Sequence, residues 1–125
     1  MKNYSKITPE GTRDLLFGEC RARRKAEEAV NRVFINRGFS EIITPGIEFM
    51  DVFNKKAQSI PSEDMYKLVD NKGRLLVIRP DSTLPIARVV GTRLQSHTRP
   101  IRLFYNQSVF EVNPSMSGRN NEVIQ

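Results

Sequence analysis

The sequence predicts an α+β fold, a largely antiparallel sheet carrying one long helix and one shorter one. Three observations lead there. Residues 19–37 place apolar side chains at helical spacing and stop at a glycine. Residues 65–78 form two strand-like runs around Asp70-Asn71-Lys72-Gly73, the pattern of a β-hairpin. Beyond Pro100, three more short apolar runs follow, at 101–105, at 108–112 and from Glu122 onward.

The elements follow in order. Residues 1–18 read as an irregular lead-in, with Pro9-Glu10-Gly11-Thr12 as turn chemistry in which proline holds φ and glycine is free to take φ > 0. In the helix over 19–37, Arg21, Arg24 and Lys25 share a solvated face, while Ala22, Ala26, Ala29, Val30 and Val33 form the apolar one. Glu27 and Glu28 stand within i,i+3 and i,i+4 reach of basic neighbours. Gly38 suits a left-handed closing residue, and Phe39 is placed to make the accompanying hydrophobic contact. Residues 41–44 form a short strand ended by Pro45. Residues 47–53 fit a strand, a short helix or a mixture, and 54–64 are a polar, mobile loop. In the hairpin, Gly73 takes the left-handed position. Ser82 or Thr83 then caps a helix that tolerates Pro85 in its first turn and buries Ile86, Val89, Val90 and Leu94. Residues 114–121 are a loop between the 108–112 strand and a returning strand that runs to Gln125. A strand ending at the last residue leads us to expect a truncated chain, the N-terminal part of a larger domain.

Composition narrows the function. Of the 125 residues, 20 are Lys or Arg and 14 Asp or Glu, for a net charge of +6. The densest basic run, Arg21-Ala22-Arg23-Arg24-Lys25, lacks interleaved aromatic residues, so a solvated helix face explains it better than a nucleic-acid surface. One cysteine excludes an internal disulfide framework, and no Cys/His cluster fits a zinc site. Cys20 reads as a partly buried small residue, and His97 as a surface loop histidine. No apolar run approaches the roughly 20 residues of a membrane span, and no leader pattern follows Met1, so a cytoplasmic protein without a membrane partner is expected. Phosphate-loop, dinucleotide-binding and nucleophile-elbow motifs are absent.

Two segments retain chemical interest. Arg79-Pro80-Asp81-Ser82-Thr83 sets a carboxylate and hydroxyls between a strand exit and a helix start. That arrangement can accept an amino group, although capping of the helix by Asp81 and Thr83 is the simpler reading. The strand-loop-strand from Phe110 to Gln125 carries Arg119 and many donors, a combination able to close over a ligand.

Taken together, the segments resemble the catalytic core of the histidyl-tRNA synthetase family of class II synthetases, over roughly residues 7–125. Pro9-Glu10-Gly11-Thr12-Arg13-Asp14-Leu15-Leu16 is similar to the family's N-terminal signature. Residues 37–48, with the long helix before them and Pro45 at the strand end, resemble the class II first motif. Met65-Tyr66-Lys67-Leu68-Val69-Asp70, Gly73-Arg74 and Ile78-Arg79-Pro80-Asp81-Ser82-Thr83 match the hairpin and the amino-acid-binding turn, and residues 105–125 have the place and length of the second motif.

The resemblance implies a class II synthetase-like antiparallel sheet flanked by helices, here in its N-terminal portion, with no cofactor, no metal and no complete catalytic set. The third motif and any anticodon-binding domain would lie beyond Gln125. It also implies one of two functions. Synthetases activate histidine with ATP and charge tRNA. Their paralogues, the regulatory subunits of ATP phosphoribosyltransferase, share the fold without charging tRNA and partner the short-form catalytic subunit in histidine biosynthesis. The residues favour the paralogues. Asp81 stands where synthetases usually carry glutamate. Glu111 follows Phe110 where a synthetase places the arginine that grips the ATP α-phosphate, and an anion there repels the phosphate. Asn113 and Asn121 replace a further glutamate and arginine of that site. Many regulatory subunits keep an arginine at the Glu111 position, so Glu111 weighs against activation rather than for the paralogue. By the same matching, Asp81, Thr83 and Gln125 would contact histidine, Arg119 would be an anion or ligand contact, and the first-motif region would form a homodimer.

Overall fold

A computed structural model of the chain describes residues 3–54, 60–112 and 120–125. The elements are α1 (Gly18–Asn36), β1 (Ser40–Glu41), β2 (Ile47–Phe49), β3 (Lys67–Val69), β4 (Leu75–Ile78), α2 (Thr83–Thr92), β5 (Leu103–Phe104), β6 (Ser108–Phe110) and β7 (Glu122–Ile124). Single 3₁₀ turns lie at Tyr4–Lys6, Met50–Val52 and Ser62–Asp64.

The end of α1 forms as its sequence predicts. Gly38 has φ +85°. Its N–H donates to Ile35 O at 3.1 Å, and the Phe39 N–H donates to Phe34 O at 3.0 Å, the paired bonds of a Schellman closure. Phe39 meets Phe34 edge-on at 5.4 Å. Phe34 in turn stacks on Phe104 of β5 at 5.0 Å, with the rings 6° from parallel. The expected charge pairs form along the helix: Glu27 with Arg23 at 2.7 Å and Arg24 at 3.0 Å, and Glu28 with Arg32 at 3.0 Å.

The buried side of α1 is not the expected one. Arg23, Glu27, Asn31 and Phe34 are its half-buried positions, whereas Ala22, Ala26, Ala29, Val30 and Val33 are exposed. The Phe34–Phe104 stack sets the helix rotation, and Arg23 and Glu27 tolerate partial burial because they neutralise each other. No α1 residue is fully buried. Cys20, expected to be partly covered, is exposed and donates its thiol to Leu15 O at 2.9 Å. His97 lies at the surface, as expected.

Among the described residues the sheet is in three pieces. β2, β4 and β3 form an antiparallel sheet in that order, and β6 pairs antiparallel with β7, Val109 opposite Val123. β1 and β5 pair parallel, Ser40 opposite Leu103, an exception within the largely antiparallel arrangement that was expected. That pairing is set by two segments far apart in sequence, and no local pattern encodes its direction. The strands expected at 41–44, 101–105 and 108–112 are each shorter, and the Thr44 and Val112 N–H groups instead donate to Gln107 Oε1 and Asp64 O, each at 2.7 Å. Residues 47–53 are the mixture allowed by the sequence, β2 followed by a 3₁₀ turn. The expected loop over 54–64 contains the turn Ser62–Asp64, and its residues 55–59 lie outside the described residues.

The hairpin is as predicted, with Gly73 at φ +75°. Asp70 organises the turn by accepting the Lys72 and Arg74 N–H groups, each at 2.9 Å, and the Arg74 guanidinium at 2.7 Å. The Arg74 N–H, then the Arg74 side chain and the Lys72 N–H, hold the Asp70 carboxyl below its ordinary range. The core gathers under this sheet from Met50, Phe53, Met65 and Val77, with Leu84 of α2 packed against it. Pro85 is the buried residue of α2, while Ile86, Val89, Val90 and Leu94, expected as its buried face, are half-buried.

Candidate functional site

Arg79 carries the chain off β4 and fastens it to two neighbouring segments. Its N–H donates to Gly46 O at 3.0 Å, and its carbonyl accepts from the Phe110 N–H at 3.0 Å. Its guanidinium donates to Ser108 O at 2.6 Å and Thr44 O at 2.9 Å. Burial lowers the Arg79 pKa, and the negative charge of Glu48 opposes that shift. The following proline ends strand pairing, so Asp81, Ser82 and Thr83 are delivered at a fixed place.

Of the expected caps, Asp81 is the one that serves α2. Its Oδ2 accepts from the Thr83 N–H at 2.8 Å and the Leu84 N–H at 3.2 Å. Ser82 makes no capping bond because its hydroxyl is buried and accepts from Gln107 Nε2 at 3.0 Å. Gln125, just past β7, completes the turn. Its Oε1 accepts from the Ser82 N–H at 2.8 Å, and its Nε2 donates to Asp81 Oδ1 at 3.1 Å.

Asp81, Thr83 and Gln125 therefore line one cleft of about 480 Å³, with Glu111 on its wall and Phe53 and Leu84 on its apolar side. Among the described residues lining it, the charged ones are Asp81 and Glu111, both acidic. The described lining is therefore electrostatically suited to a cationic group such as an ammonium rather than to a phosphate.

The loop-return residues sit alongside. The Glu111 N–H donates to Asn121 O at 2.9 Å, and the Asn121 N–H donates to Gly11 O at 2.8 Å. The Asn121 side chain donates to the Tyr66 hydroxyl at 2.8 Å. Asn121 and Glu111 both line a smaller cleft of about 270 Å³ beside the first. Asn113 and Arg119 lie outside the described residues. Of the residues singled out in the sequence, Asp81, Thr83, Gln125 and Glu111 converge, and Asn121 lies next to them.

Sequence reasoning missed Gln107, Ser82 and Thr44 as members of this network. They are 5%, 0% and 3% exposed. Gln107 sits in a short link before β6, and no local signal distinguishes it from a surface glutamine. Among the described residues, no group of three or more His, Cys, Asp or Glu side chains is placed to hold a metal ion, and no helix is long and apolar enough to cross a membrane.

The sequence model of the histidyl-tRNA synthetase family matches residues 11–125. The ATP phosphoribosyltransferase regulatory subunit of Clostridium kluyveri is 46% identical over 125 residues, all of this chain and 32% of its own length. The corresponding subunit of Bacillus thuringiensis is also 46% identical over all of this chain, which is 29% of its own length. This chain thus spans about a third of the curated relatives it matches. Among solved structures, an ATP phosphoribosyltransferase regulatory subunit/histidyl-tRNA synthetase from Bacillus halodurans superposes with a TM-score of 0.84 at 28% identity, over 98% of this chain and 31% of that one. Apo histidyl-tRNA synthetase of S. aureus superposes with a TM-score of 0.72 at 27% identity, over 83% of this chain and 29% of that one.

Proposed function

The chain belongs to the histidyl-tRNA synthetase family, and from that premise we propose that it is part of a non-catalytic regulatory subunit of ATP phosphoribosyltransferase whose cleft at Asp81 binds histidine. One observation carries this reading. Asp81, Thr83 and Gln125 line a single cleft, and among the described lining residues the other charged one is also a carboxylate, Glu111. An α-amino group is attracted to that cleft. An ATP phosphate meets Glu111 and is repelled. The 46% identity to curated regulatory subunits over the whole chain supports the same branch.

In this reading the 125 residues supply the N-terminal part of a class II core in a cytoplasmic protein. Asp81 holds the ammonium, Gln125 keeps the carboxylate oriented, and Thr83 contributes a hydroxyl at the mouth. Arg119 is a further ligand contact. The subunit pairs with itself through the first-motif region and with the short-form catalytic subunit. The exposed Val30 and Val33, neighbours on α1 and each 55% accessible, and Ile43 near Pro45, 81% accessible, support a partner at the first-motif region. Histidine acts by binding the states of the assembly with different affinity.

Histidine-dependent ATP–pyrophosphate exchange and histidine-induced thermal shift on the full-length gene product test the proposal together. A shift without exchange is expected, because saturation at 100 times Kd stabilises by about 2.7 kcal/mol. Robust exchange would return the chain to the tRNA-charging branch. Absence of both effects would remove histidine as the ligand.

A further inference from the structure

We propose that Gln107 is the positioning residue of the cleft: it couples the Asp81–Leu84 turn to Thr44, in the segment between β1 and β2, and so keeps the Asp81 carboxylate in one orientation. Its importance for ligand binding rests on the reading of the cleft as an amino-acid pocket, whereas the coupling itself does not.

A glutamine amide offers two N–H donors and one carbonyl oxygen, and Gln107 uses all of them inside the protein. Its Oε1 accepts from the Thr44 N–H at 2.7 Å. Its Nε2 donates to the Thr44 hydroxyl at 3.1 Å and to the Ser82 hydroxyl at 3.0 Å. All three side chains are at least nine-tenths buried, so an unmade bond here is not replaced by water.

The backbone of Gln107 reaches the same turn by a second route. Its N–H donates to Gln125 O at 3.1 Å, and the Gln125 N–H donates back to its carbonyl at 2.8 Å. The Gln125 side chain then spans the Ser82 N–H and Asp81 Oδ1. Gln107, Ser82 and Gln125 thus close a ring of bonds, and the carboxylate is held at its edge. The buried part of this network, Gln107 with Thr44 and Ser82, is satisfied within the protein, and such a network specifies one geometry in a way that apolar packing does not. Thr44 directly precedes Pro45, so the ring also joins the cleft to the first-motif segment.

The test uses the full-length protein and the variants Gln107→Met, which keeps the length without the hydrogen bonds, and Ser82→Ala, which removes one link from the far end. Two measurements are made: affinities for histidine and for its 2-hydroxy analogue, which lacks the ammonium, and amide exchange at Ser82, Thr83 and Leu84. In Gln107→Met we expect histidine to bind about tenfold more weakly while the analogue changes by less than about twofold, with faster exchange at Thr83 and Leu84. Ser82→Ala shifts the preference in the same direction, and it decides the matter if Gln107→Met does not fold. An equal fall in both affinities with unchanged exchange would overturn the proposal, leaving Gln107 a core residue. If the unsubstituted protein binds neither compound, the amino-acid reading fails and exchange alone decides the coupling: faster in the variants supports it, unchanged overturns it.

Discussion

Gly11 lies flat against Asn121. Its carbonyl accepts the Asn121 N–H at 2.8 Å, and a β-carbon on Gly11 would stand 2.5 Å from that same nitrogen. Gly11 also has φ +71°, so the N-terminal turn both needs its glycine and uses it to seat the residue preceding β7. Gly11→Ala meets a steric and a conformational penalty together, and a loss of about 1–3 kcal/mol is expected. Thermal denaturation checks the loss, and an unchanged midpoint would refute the seating of β7 by this turn.

Asp81 separates capping from charge. Asp81→Ala removes the oxygen that serves the first turn of α2, for a loss of about 1 kcal/mol. In Asp81→Asn the single oxygen still serves the cap, but the amide faces Gln125 Nε2, donor against donor. Chemical denaturation is expected to rank Asp81→Asn between the native protein and Asp81→Ala. Calorimetry with histidine is expected to show binding abolished in both.

Glu48 is 8% exposed and pairs with Arg88 of α2 at 2.8 Å. Arg88→Met leaves a carboxylate buried without that partner, at an expected loss of about 3 kcal/mol, the low end for such a break because Arg88 is itself a third exposed. Adding Glu48→Gln to Arg88→Met is expected to recover part of the loss, which equilibrium denaturation of the double variant measures.

The Glu27 carboxyl sits below its ordinary value of 4.5. The Arg23 hydrogen bond is the largest cause, burial opposes it, and Asn106 and Arg24 add to the lowering. Because the folded value is depressed, this contribution to stability is fully present above the unfolded value and is lost as pH falls through the folded one. Stability is expected to decline on acidification below about pH 5, and less steeply in Glu27→Gln. Parallel slopes for the two proteins would show that Glu27 does not contribute.

The parts of the fold legible in the sequence are those whose causes lie within a few residues. Gly38 and Phe39 close α1 by local bonds, Gly73 turns the hairpin, and Glu27 and Glu28 find arginines one helical turn away. The site was half legible. Asp81, Thr83, Gln125 and Glu111 stand out because the chain resembles a family that uses those positions. Capping of α2 by Asp81 was legible, but the inward turn of Ser82 was not, since it depends on Gln107, 25 residues further along the chain.

The inventory of elements, the turn chemistry and the acidic character of the residues that meet in the cleft are thus written in the residues alone. Which face of α1 is covered, the parallel run of β1 and β5, and the burial of Gln107 between Thr44 and Ser82 depend on how the chain packs. Periodicity and turn residues report dihedral preferences and near neighbours. The Phe34–Phe104 stack and the Gln107 bonds join segments distant in the chain, and their geometry exists only once those segments are packed together.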